Sequence, residues 1–128
     1  MAGLVPATHI LGGSMVAGDA YNTFIAVYMI ANRRHGTIYI VVTSQLPKRI
    51  WEHREGLAPG FTKKYGLTRL VWFEPHESMV AAIQRETSLK RYERGWKINL
   101  IERENTYWID LYPWLMGYVP TKNASTDL

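Results

Sequence analysis

FIAVYMIANRRHGTIYIVVT, residues 24–43, is the stretch of the sequence that decides the fold. Two runs rich in Val, Ile, Tyr and Phe, residues 24–31 and 36–43, flank a polar segment at residues 32–35, a pattern that predicts a β-hairpin. With a four-residue loop, Ala31 pairs with Gly36 and Tyr28 pairs with Tyr39. Directly opposed residues share one face of a sheet, so the two phenols would lie side by side. A cross-strand aromatic contact inside a core also fits this pair.

The elements after the hairpin read helix, strand, helix, helix, which makes the domain α+β. Ser44 is a candidate cap for the first helix, with Pro47 in its first turn, and Gly56 ends it. Residues 67–74 form the predicted third strand. Ser78 caps a second helix that runs to about Arg94, and after Gly95 a third helix runs from Trp96 to about Arg103.

Composition bounds the kind of protein. The chain has 128 residues, of which 47% are hydrophobic, enough for one domain with a real core. Cysteine is absent, which excludes disulfides, zinc ribbons and thiol nucleophiles. We expect a domain over residues 23–115, a loose extension over 1–22 and a tail over 116–128. No apolar run approaches a membrane span and no secretory signal is apparent, so we expect a cytoplasmic protein without membrane contact or an obligate protein partner.

Positive charge is concentrated in two segments. Residues 45–69 hold six basic residues against two acidic ones, and residues 85–103 hold six against three. A concentrated positive field suits a polyanion, and nucleic acid is the commonest one. Basic residues that merely solvate helix faces would produce the same pattern.

Glu86 falls on a stripe of the second helix that is otherwise apolar. The inward positions run Met79, Ala82, Ile83, then Glu86, then Leu89. A carboxylate on such a stripe is disfavoured unless a cation or several donors meet it. A metal ion would serve, and so would Lys90 four residues on. We interpret the position of Glu86 as part of a functional site rather than as an ion pair on a helix flank.

Several motifs, in order, resemble the GIY-YIG nucleases, specifically the small stand-alone bacterial members. The two signature triplets appear as AVY at 26–28 and YIV at 39–41, followed by VTSQLPKR at 42–49 and EHREG at 52–56. The segments GFTKKYG at 60–66, LVWFE at 70–74, AIQRE at 82–86 and WK at 96–97 are also similar to that subgroup.

The resemblance implies a three-stranded antiparallel sheet flanked by helices and metal-dependent hydrolysis of DNA. It gives Glu86 the role of metal ligand, for Mg²⁺ or Mn²⁺, and Arg49 that of stabilising the phosphate. Tyr28 and Tyr39 are the signature tyrosines, and we favour Tyr39 as the one that activates water. His53 matches an accessory catalytic position and Asn105 a weaker one.

A phenol has a pKa near 10, so we expect nearby positive charge from Arg49, His53 and the metal to support its action as a base. The four catalytic side chains Tyr28, Tyr39, Arg49 and Glu86 should converge on one surface hollow. The DNA contacts that we expect are basic residues of the two positive segments: Lys48, Arg54, Lys63, Lys64, Lys90 and Arg91.

Val41 departs from the signature, which has glycine at that position. It lies on the same strand face as Tyr39, where a side chain would either crowd the phosphate or be accommodated as an ordinary strand residue. Two functions therefore stay open. One is a metal-dependent endonuclease, and the other is a catalytically impaired nucleic-acid-binding domain of the same fold.

Overall fold

The structure, a computed structural model, describes residues 23–57 and 60–117. It has the predicted α+β architecture: a three-stranded antiparallel sheet flanked by helices, with β1 between β2 and β3. Two short helices, at Phe61–Lys64 and Tyr112–Leu115, are present in addition to the predicted elements. The strands are β1 (Ala26–Ala31), β2 (Ile38–Thr43) and β3 (Arg69–Pro75), and the helices are α1 (Leu46–Arg54), α2 (Phe61–Lys64), α3 (Met79–Lys90), α4 (Arg94–Glu104) and α5 (Tyr112–Leu115).

The hairpin register differs from the predicted one by two residues. Tyr28 lies opposite Val41, and Tyr39 lies opposite Ile30, so the predicted direct pairing of the two tyrosines is wrong. A shift of two residues keeps every side chain on its own face, because successive strand residues alternate between faces. Tyr28 and Tyr39 therefore still share one face of the sheet, as diagonal neighbours.

Contacts within the loop and from α4 explain the shift. The Asn32 side chain accepts a hydrogen bond from the backbone of Thr37 at 3.0 Å, and the Gly36 backbone donates to Arg33 at 3.0 Å. The Arg94 guanidinium, on α4, donates to the carbonyl oxygens of residues 35 and 36, each at 2.8 Å. These contacts remove residues 36 and 37 from the ladder and lengthen the loop to residues 32–37.

Gly36 is required at its position. A β-carbon there would lie 2.1 Å from the side-chain oxygen of Asn32, so any other residue would force Asn32 to move. The same asparagine oxygen closes the loop onto Thr37, so the close approach is part of the turn itself.

Two hydrophobic clusters lie on opposite faces of the sheet. The first contains Tyr28 and Phe73 from the sheet, Leu46 and Ile50 from α1, and Leu115 from α5. The second joins other side chains of β1 to α3, α4 and the segment after α4; its members include Val27, Met29, Ala82, Leu89, Ile101 and Trp108. Every residue of β1 is fully buried, so the central strand is covered on both faces.

The start of α1 differs from the prediction. Gln45 is the cap residue and makes no side-chain capping bond, so the expected Ser44 cap is wrong, whereas Pro47 is in the first turn as predicted. The backbone of Phe24 explains this start, because its amide donates to Ser44 at 2.7 Å and its carbonyl accepts from Leu46 at 3.1 Å. Residues 44–46 are thereby held beside the entry to β1.

The boundary between α3 and α4 also differs. Ser78 caps α3 as predicted, with its hydroxyl accepting from Ala81 at 3.1 Å. The helix ends at Lys90 rather than near Arg94, and Gly95 lies in the first turn of α4 instead of separating two helices. Glu93, in extended conformation, is the N-cap residue of α4.

The predicted extension over residues 1–22 lies outside the described residues, as does the predicted tail apart from residues 116 and 117. Within 23–57 and 60–117, no helix combines the length and the apolar character that a membrane span requires.

Candidate active site

The two signature tyrosines lie on the face of the sheet that α1 covers. Tyr28, in the middle of β1, is fully buried, and Tyr39, on β2, is half-buried against the same cluster. The expectation that Tyr28 lines a surface hollow is therefore wrong. Of the two signature tyrosines, Tyr39 is the one with exposed surface, and Tyr28 is part of the core.

Helix α1 places His53 and Arg49 beside Tyr28. These two residues are four apart, so they lie on neighbouring turns of one helix flank. The Tyr28 hydroxyl is 2.8 Å from Nε2 of His53, and the two rings meet edge to face at 5.9 Å. Burial raises the pKa of Tyr28, while the charge of Arg49 and a hydrogen bond from it oppose that rise. The phenol is therefore protonated at neutral pH and shares a hydrogen bond with His53 whose direction depends on the imidazole tautomer.

His53 is a neutral imidazole at neutral pH. Burial, with a smaller contribution from the positive charge of Arg49, lowers its pKa from 6.5 to about 4. The expectation that His53 contributes positive charge to the site is therefore wrong. The other ring nitrogen, Nδ1, is buried and has no hydrogen-bond partner in the described part of the chain.

Arg49 interacts with Tyr28 and also pairs with Glu52. Its Nη1 donates to Oε1 of Glu52 at 2.8 Å, and this hydrogen bond raises the pKa of Arg49. Both side chains line a surface hollow of about 250 Å³, whose lining consists of Val42, Thr43, Gln45, Lys48, Arg49 and Glu52. The hollow holds two cations and one carboxylate. Of the four side chains expected to converge on one hollow, only Arg49 is in its lining, so that expectation is wrong for this hollow.

Glu52 was not predicted from the sequence as a site residue. The signal was present, since an acidic residue three positions after an arginine on a helix forms an ion pair readily. That spacing is common on solvated helices, so it does not by itself indicate a site.

Val41 is half-buried directly opposite Tyr28 and packs against the first cluster. Its neighbour Val42, not Val41, lines the hollow that holds Arg49. The valine side chain therefore packs beside Tyr28 while part of its surface stays exposed.

Glu86 lies on α3, and the buried residues of that helix join the second cluster, on the other face of the sheet from the tyrosines. Its side chain is 16% exposed and lies 3.3 Å from Nζ of Lys90. Ile83, expected on the inward stripe, is exposed. The part of the chain that the structure describes holds no group of three His, Asp or Glu side chains arranged for a metal ion. The metal role of Glu86 stays a prediction.

The basic residues predicted to contact DNA fall into two groups. Lys48, Lys63, Lys64 and Arg91 are exposed. Two others have structural partners: Arg54 pairs with Asp110 and lies 4.6 Å over the ring of Tyr112, and Lys90 pairs with Glu86. The first group is the more available to a ligand.

Asn105 is a structural residue. It is buried, and its amide nitrogen donates to the carbonyl oxygens of Val71 at 3.0 Å and Ile109 at 2.9 Å. Its oxygen accepts from the backbone of Ile109 at 3.0 Å. The side chain thus ties the segment after α4 to β3, and the structure gives it no place beside Tyr28.

Comparison with known proteins finds relatives of this chain. The sequence is 33% identical over 69 residues to the UPF0213 protein CPE1444 of Clostridium perfringens, an alignment that spans 54% of this chain and 74% of that protein. A solution structure of the UPF0213 protein BH0048 from Bacillus halodurans aligns with 64% of this chain and 86% of that one, at 26% identity and a TM-score of 0.42. The sequence model of the GIY-YIG catalytic domain matches residues 24–99, which include Tyr28, Tyr39, Arg49, His53 and Glu86. The chain therefore belongs to the GIY-YIG family.

Proposed function

We propose that this protein is a metal-dependent endonuclease that hydrolyses phosphodiester bonds in DNA. The observation that carries the proposal is the cluster of Tyr28, His53 and Arg49, in which a buried phenol and a neutral imidazole hold an arginine at the edge of a polar hollow. Membership of the GIY-YIG family, whose fold is of the nuclease type, supports the same reading.

Arg49 is the residue that we assign to the phosphate. Its guanidinium lies in the hollow with Lys48, and an arginine can make two parallel hydrogen bonds to a phosphate group. As the phosphorus accepts a fifth oxygen, negative charge grows on the phosphate oxygens, and a fixed cation stabilises that charge.

Tyr39 is the tyrosine that we assign to the attacking water. It is half-buried on the face that carries Tyr28, whereas the hydroxyl of Tyr28 is enclosed and engaged with His53. Tyr28 and His53 then act as positioning residues: their hydrogen bond fixes the flank of α1 from which Arg49 extends.

Glu86 is the residue that we assign to a divalent ion. One carboxylate that is 16% exposed, 3.3 Å from the ammonium group of Lys90, would hold an ion that keeps most of its water shell. Mg²⁺ and Mn²⁺ bind in this manner, and such an ion supplies charge stabilisation on the phosphate when bound.

DNA is the substrate that the charge distribution favours. Lys48 lines the hollow, and Lys63, Lys64 and Arg91 are further exposed basic residues outside its lining. Contacts of this kind bind the phosphate backbone without reading sequence.

A DNA-binding protein that does not cleave is the second candidate. Two observations favour it: the guanidinium of Arg49 is already paired with Glu52, and Val41 stands where the family signature has glycine. Binding by surface lysines and arginines requires neither the metal nor the tyrosines.

Incubation with single-stranded, duplex and branched DNA separates the two candidates. Each substrate is tested with Mg²⁺, with Mn²⁺ and with a chelator; cleavage products are resolved on a denaturing gel, and binding is scored on a native gel. Cleavage that requires the metal and disappears in Arg49→Ala supports the endonuclease. Retarded DNA without cleavage under every condition selects the binding protein.

A further inference from the structure

The ion pair between Arg49 and Glu52 lies in the hollow to which the proposed function assigns the substrate phosphate. The guanidinium Nη1 and the carboxylate Oε1 are 2.8 Å apart, and both side chains line the hollow that also contains Lys48. A phosphate oxygen seeks the same guanidinium hydrogens as the carboxylate does. The two acceptors therefore compete for one donor.

The pair is weak enough to open. Its partners are three residues apart on α1, and the side chains of Arg49 and Glu52 are 44% and 23% exposed. Pairs of this kind stabilise a protein little, since water competes for both charges and two long side chains are immobilised. The stability of α1 rests instead on Leu46 and Ile50, which are fully buried in the first cluster.

From these contacts we infer that Glu52 sets the affinity of the candidate site for phosphate groups, by holding Arg49 until a substrate phosphate replaces the carboxylate. The inference rests on the proposed function, because it takes the ligand of the hollow to be a DNA phosphate. Glu52 is then a positioning residue that acts through Arg49.

Charge in the hollow gives the direction of the effect. With Glu52 ionised, Lys48 and Arg49 are opposed by one carboxylate. Replacing that carboxylate by a neutral amide of the same shape frees Arg49 and removes the repulsion between Glu52 and the incoming phosphate. Binding should become tighter and should involve one more effective phosphate contact.

The test is the affinity of a short duplex DNA for Glu52→Gln, measured by fluorescence anisotropy in chelator over a range of salt concentrations. Glu55→Gln is the matched control, since it removes the same charge from the exposed end of the same helix, outside the lining of the hollow. We expect Glu52→Gln to bind about fivefold more tightly, the upper value for breaking a partly exposed ion pair, with less than about a twofold change in Glu55→Gln. The slope of log affinity against log salt should steepen by about one unit in Glu52→Gln alone.

An Arg49→Gln background decides whether Glu52 acts through Arg49. There, adding Glu52→Gln should give no gain in affinity, because the competed donor is absent. An equal gain in Glu55→Gln, a gain that persists without Arg49, or weaker binding by Glu52→Gln overturns the inference. Cleavage is scored separately with Mg²⁺, so a protein that shows this binding pattern but never cuts contradicts only the proposed function. Failure of every protein to bind DNA overturns both.

Discussion

The hydroxyl of Tyr28 lies 2.8 Å from Nε2 of His53, and this hydrogen bond joins the central strand of the sheet to the helix that carries Arg49. Both side chains are buried, so neither has water as an alternative partner. The bond therefore links the fold of the protein to the position of its candidate catalytic arginine.

Removing the two tyrosine hydroxyls one at a time should separate a structural role from a chemical one. Tyr28→Phe leaves Nε2 of the buried His53 without a partner, so we expect a loss of about 1–3 kcal/mol in the free energy of unfolding, measured by urea denaturation. Tyr39→Phe should change stability by less than that, because its side chain is only half-buried. If Tyr39 activates water, this variant should cleave DNA at least about 100-fold more slowly. Equal stability losses in the two variants, with cleavage intact in Tyr39→Phe, would reverse these assignments.

The shared face of the two tyrosines was predictable because strand faces depend only on alternation. Tyr28 and Tyr39 share a face for any hairpin loop with an even number of residues, so the predicted face survived a wrong register. The loop length itself depends on Arg94, which lies 58 residues beyond Gly36 in the sequence. A local pattern of residues contains no information about such a contact.

The charge state of His53 was not predictable for a similar reason. Its spacing from Arg49 placed it correctly on the helix, but its pKa depends on burial by the sheet and α1 together. The position of Glu86 relative to the tyrosines likewise depends on which face of the sheet α3 covers, and periodicity within a helix does not reveal that.

His53 should make stability depend on pH. Its pKa is about 4 in the folded protein and 6.5 when unfolded, so between these values the unfolded chain binds the extra proton. The stabilising contribution is therefore complete above pH 6.5 and is lost as the pH falls toward 4, by roughly 3 kcal/mol in all. Denaturation of the wild type and of His53→Gln across this range measures it. The glutamine variant should lack this part of the slope, and identical slopes would mean that His53 is not buried as a neutral ring.

Glu86 should be needed for cleavage and not for binding. Glu86→Gln removes the charge that would hold the ion, and we expect cleavage with Mg²⁺ to fall by about 100-fold or more, while DNA affinity in chelator stays the same. Lys90→Gln is the matched control, because it breaks the 3.3 Å ion pair and leaves the carboxylate in place. The control should still cut DNA. Cleavage lost equally in both variants would indicate that the pair itself matters, and normal cutting by Glu86→Gln would remove the metal role.

Val41 provides the sharpest test between cleavage and binding alone. Its side chain packs against the cluster that contains Tyr28, while its neighbour Val42 lines the hollow of Arg49. Shortening the Val41 side chain should therefore weaken packing in the first cluster without enlarging the hollow that Arg49 lines. We expect Val41→Ala to lower the free energy of unfolding by about 1 kcal/mol, in line with partial burial of the lost methyl groups. Val41→Gly should lower the free energy of unfolding by a further amount of roughly 0.5–1 kcal/mol, because glycine has more conformational freedom to lose when the strand folds. Neither variant should cleave faster than the wild type when each is assayed below its melting temperature. Faster cleavage by the glycine variant, together with a lower melting temperature, would show instead that the valine crowds the scissile phosphate and that the natural protein is an impaired nuclease.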